Sequence, residues 1–81
     1  MEYPTRTQIQ DLVTDYLRLE RELHPRTVCA FDISREIRER YGIRIDWHVA
    51  ADQLEYLTRT GEITQSGYTY DNHTSYNLWS S

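Results

Sequence analysis

Residues 46–63, "DWHVAADQLEYLTRTGEI", put three apolar side chains on one side of a helical wheel and four polar ones opposite. Ala50, Leu54 and Leu57 follow the i, i+4, i+7 spacing of a buried helix face. His48, Asp52, Glu55 and Arg59 occupy the other side. Asp46 can cap the helix through its side-chain oxygen, and Gly61 can end it ahead of Ile63. The stretch therefore predicts a helix that runs into a strand.

On the N-terminal side, "TRTQIQDLVTDYLRLEREL" repeats the helical pattern, with Ile9, Leu12, Val13, Tyr16 and Leu17 on one apolar face. Thr5 with Gln8, or Thr7 in its place, is a cap just after Pro4, and "HP" at 24–25 stops the helix. Glu20, Arg21 and Glu22 read as its solvated end. "RTVCAF" is apolar, β-branched and short, which fits a brief strand. "DISREIRERYG" predicts a second helix with Asp32 as its cap, Ile33, Ile37 and Tyr41 inward, and Gly42 at its end. Arg35 and Arg38 point outward on this wheel, and Arg40 can pair with Glu36 at i, i+4. Ile43 or Ile45 anchors the turn "GIRI" that leads to Asp46.

After Gly61 the pattern changes to "EITQSGYTYDNHTSYNLW", two aromatic and β-branched segments flanking the turn-forming "DNHT". The reading is a hairpin in which Tyr76 and Leu78 face inward, with Asn77 and Trp79 on the other face.

Eighty-one residues fit one domain, 1–81, with its core in about 7–79. No apolar run approaches the ~20 residues that span a bilayer. The N-terminus lacks the basic and apolar regions of a signal peptide, so the expected location is cytoplasmic, with no membrane partner. Cys29, the single cysteine, sits in "VCAF" and reads as core. The three histidines show no ligand spacing, and there is no nucleophile-and-base signature or phosphate loop. The expectation is no metal, no cofactor and no enzyme activity. A net charge of −4 argues against indiscriminate nucleic-acid binding. All nine basic residues are arginine, a usage that fits a high-GC genome and, with the acidic balance, a salt-adapted archaeal or viral source.

The order helix, short strand, helix, helix, hairpin resembles the winged helix-turn-helix domain, a small α+β fold. Ala50, Leu54, Leu57, Gly61 and Ile63 match the spacing of that family's third helix and the turn after it. Ile37, Tyr41 and Gly42 are similar to its second-helix ending, and Tyr76 and Leu78 to the close of its wing. The turn between the second and third helices is one or two residues longer than the common form. The resemblance covers about residues 7–79 and implies a sequence-specific DNA-binding transcriptional regulator of double-stranded DNA.

On that reading the third helix enters the major groove. Trp47, His48, Ala51, Asp52 and Glu55 face base edges, and Arg35, Arg38, Arg44 and Arg59 clamp phosphates. Tyr70, Asn72 and His73 lie near the wing tip, which carries no lysine or arginine. The alternative is an interaction module that holds a protein partner through an acidic helix and an aromatic wing, without binding DNA. A homodimer through helix one and the terminal segments would supply two half-sites. Tyr3 and Trp79 would then be exposed; otherwise they cover the open side of the core. A contiguous arginine stripe joining helices two and three favours DNA, and a broken one favours a protein partner.

Overall fold

Helix α1 (Arg6–Leu23) begins at the capping box that the Thr5 and Gln8 pair predicts. The Thr5 hydroxyl accepts from the Gln8 amide at 3.2 Å, and the Gln8 side chain accepts from the Thr5 amide at 2.8 Å. Two of the four free amides at the helix start are satisfied in this way. The computed structural model describes residues 4–70 and 73–79, and of Tyr68 and Tyr70 only the backbone. Tyr3 and the last two residues lie outside it.

Strand β1 (Thr27–Cys29) passes directly into helix α2 (Ala30–Tyr41). Asp32 is therefore not the cap that the sequence reading made it. It stands inside the first turn and reaches back, accepting from the Cys29 amide at 3.3 Å and the Cys29 thiol at 3.4 Å. The strand leaves no loop residue to cap the helix, so a side chain from within takes up the free amide. Ile33 and Ile37 are fully buried, but Tyr41 is not the third member of that line. It is 47% exposed at the helix end, where Gly42 adopts φ +69° and turns the chain away. Its ring meets that of Tyr16 in a T-shaped contact at 6.2 Å instead.

Residues 42–46 connect to helix α3 (Trp47–Arg59), with Ile43 and Ile45 packed against the core. Asp46 caps α3 as expected, accepting from the His48 amide at 3.0 Å. Ala50, Leu54 and Leu57 are buried together with Ile63 beyond the glycine. The Thr14 hydroxyl donates to the Gln53 side chain at 2.8 Å and ties α1 to α3. Arg18 grips Glu62 of "GEI" with two nitrogens at 2.9 and 3.1 Å, while Arg21 donates to the Glu62 carbonyl at 3.1 Å.

Strands β2 (Thr64–Tyr70) and β3 (His73–Asn77) form the hairpin, and β1 adds to the far side of β3, giving the order β1-β3-β2, all antiparallel. His73 and Thr74, read from the sequence as turn, belong to β3, and their cross-strand partners are Tyr70 and Thr69. Histidine and a β-branched threonine fit a pleated strand as well as a turn, so composition alone does not separate them. Between Gln65 and Thr69, β2 takes four steps where β3 takes two, and Gly67 at φ +82° sits in this bulge. Three helices and a three-stranded antiparallel sheet make a small α+β fold in a winged-helix-like arrangement.

The last turn of α1 departs most from expectation. Glu20 is buried, not solvated: Arg26 before β1 and Arg40 on α2 converge on it, and Arg26 also takes Glu36 of α2. Arg40 does not pair with Glu36. Its nearest carboxylate is Glu20 at 3.7 Å, with its guanidinium over the Tyr16 ring, and Arg26 takes Glu36.

Candidate nucleic-acid interface

The inward face of α2 is Ala30, Ile33 and Ile37. A second face is set by Phe31, Ser34, Arg35 and Arg38, at i, i+3, i+4 and i+7. Those four residues, with Arg44 and Ile45 of the connection to α3, line a groove of about 330 Å³. The Ser34 hydroxyl donates to the Ile45 carbonyl at 2.9 Å, which fixes the connection against α2 and brings Arg44 over the groove. Among the described residues no carboxylate lines it. Arg35 stands 3.7 Å from Asp32, whereas Arg38 and Arg44 have no ion-pair partner among the described residues. Three of the four expected clamp residues thus share one surface.

A second group meets at the start of α3. The rings of Trp47 and His48 stack at 3.8 Å, and His73 of the wing meets Trp47 in a T-shaped contact at 4.8 Å. His73 also lies 6.1 Å from Phe31. Trp47 and His73, with Ala51 and Tyr76, line a small cleft of about 130 Å³ between α3 and β3. Ala51 is half-buried there, packed against the core. Phe31, in the stretch whose composition predicts a strand, borders both groups and is 54% exposed. Its signal lay in the sequence, as the first member of a second helical face on α2.

The outer face of α3 is the third group. Glu55 and Arg59 pair with each other at i, i+4, so Arg59 is engaged away from the groove. Asp46 is occupied as a cap, with the His48 ring nitrogen 4.0 Å from it. Asp52 is exposed and has no charged partner among the described residues. Tyr70 lies in β2, but its side chain and the whole of Asn72 fall outside the described residues.

Among the described residues no cluster of His, Cys, Asp or Glu could hold a metal ion, and no helix is long and apolar enough to cross a membrane. No protein-family model, curated protein or solved structure matches this chain.

Proposed function

We propose that the chain is a small sequence-specific DNA-binding regulator that lays α3 along the major groove of a duplex. The observation that carries this reading is the groove shared by Arg35, Arg38 and Arg44, two of which have no carboxylate partner among the described residues. Cations on α2 and at the entry to α3 lie where a helix inserted in the groove would meet flanking phosphates. The acidic face of α3 is a smaller obstacle than its composition implies. Glu55 is neutralised by Arg59, which leaves Asp52 as the carboxylate able to accept from a cytosine amino group. The wing, without a cation, does not track phosphates in this reading; it supports the start of α3 through His73 and Trp47.

A gel-shift series against duplexes selected from a random pool tests it, at low and moderate salt, with Arg38→Ala and Arg44→Ala alongside the parent protein. Weakened binding in both variants supports the reading. Unchanged binding in them, or none by the parent protein, counts against it.

Exposed Phe31, Trp47 and Tyr56 favour a second reading, a module that holds a protein partner, because aromatic side chains are enriched in protein interfaces. Co-purification of a stoichiometric partner without DNA would favour it over the first.

A further inference from the structure

We infer that the groove on α2 binds one unpaired nucleotide, its base stacked on Phe31 and its phosphate held by Arg38 and Arg44. This deepens the duplex reading and rests on the same arginines, but it names a different feature of the nucleic acid.

Two observations carry it. The first is composition. Among the described residues the groove combines three guanidinium groups, one exposed aromatic ring and no carboxylate. Phosphate contacts in the grooves of duplex DNA need cations but no ring, whereas single-strand sites pair a cationic groove with rings on which bases stack. The second is availability. Trp47 and His48 already stack on each other, and His73 meets Trp47 in a T-shaped contact. Among the described rings Phe31 touches only His73, in a tilted contact at 6.1 Å, and remains more than half exposed. Of Phe31 and Trp47, Phe31 is the more exposed, at 54% against 37%. At about 330 Å³ the groove is at the small end of ligand pockets, about 300–1,000 Å³, a size suited to one nucleotide.

The nucleotide could come from a strand or from solution, and fluorescence anisotropy separates the sources. The probes are a labelled blunt duplex, the same duplex with a short unpaired phosphorylated tail, and adenosine monophosphate as competitor. The tail should raise affinity by about fivefold or more, the weak end of base–aromatic stacking. Phe31→Ala should abolish that gain, Phe31→Tyr should keep it, and Arg38→Ala should weaken binding of both duplexes. Displacement by the mononucleotide would identify a free nucleotide as sufficient. A tail preference that the mononucleotide does not compete away would restrict the site to strands. Both results support the inference.

Equal binding of blunt and tailed duplexes, or a tail preference that survives Phe31→Ala, overturns it and leaves the duplex reading standing. Binding of the tailed probe without the blunt one supports the inference and overturns the duplex reading. No binding of any probe overturns both. Circular dichroism of each variant guards against a folding defect, which the exposure of Phe31 makes a small risk.

Discussion

The Tyr16 hydroxyl stands 3.0 Å from Oε1 of Glu20, one helical turn further along α1, and Glu20 is 1% exposed. The same hydroxyl also contacts Glu36. One hydroxyl proton can serve only one carboxylate at a time, so Arg26, which donates to both glutamates, completes the site. The second oxygen of Glu20 is buried without a hydrogen-bond partner among the described residues. Arg26→Met should therefore destabilise the fold by about 3 kcal/mol, the low end for stranding a buried charge, since Arg40 remains nearby. Urea unfolding measures this, and a loss below about 1 kcal/mol, ordinary for a surface ion pair, would contradict the arrangement.

The same site sets a pH dependence. Burial pushes the Glu20 carboxyl up, but hydrogen bonds from Tyr16 and Arg26 and the charges of Arg26 and Arg40 outweigh it and hold the group below its ordinary value. A depressed carboxylate contributes fully above its unfolded pKa of about 4.3, and that stability is lost as pH falls through the folded value. For Tyr16, burial and then its hydrogen bonds to Glu36 and Glu20 push the hydroxyl up. Its contribution is full below about pH 10 and is lost above it. Melting temperature should hold steady across neutral pH and fall on both flanks. Glu20→Gln should flatten the acid limb, and an unchanged acid limb would contradict the assignment.

Gly67 occupies the β2 bulge at φ +82° with open space where a Cβ would stand. The cost of a side chain there is backbone strain alone, so Gly67→Ala should cost about 1 kcal/mol without disturbing packing. Thermal unfolding of the variant checks the size of the effect, and circular dichroism checks that the sheet persists.

Cys29 is buried, and burial pushes its thiol above the ordinary range. A disulfide reagent should leave it unmodified in the folded protein and label it in denaturant. Rapid labelling of the native protein would contradict its placement in the core.

The elements were legible where one face meets one core. Helical spacing in α1 and α3, the Thr5 and Asp46 caps and the Gly42 ending follow from side chains within a turn or so of each other. Glu20 was not legible because its partners Arg26, Glu36 and Arg40 come from later segments, and burial of a charge depends on what packs over it. Tyr41 failed for a related reason: periodicity places a residue on a face but does not say whether the core extends to the helix end. Of the candidate site, Arg35, Arg38 and Arg44 were legible as cations near the predicted reading helix. Phe31 was missed because its stretch was read as strand, which hid the face it shares with Arg35 and Arg38. The pairing of Glu55 with Arg59, by contrast, is a local contact whose i, i+4 spacing is visible in the sequence.

In the proposed complex Arg38 and Arg44 hold phosphates beside α3. The most direct test of this is the salt dependence of binding to a selected duplex, compared between the parent protein and the Arg38→Ala/Arg44→Ala double variant. Each lost phosphate contact lowers the slope of log affinity against log salt by about one, so the double variant should lose about two and bind more weakly at every salt concentration. An identical slope and affinity in the two proteins would contradict the account.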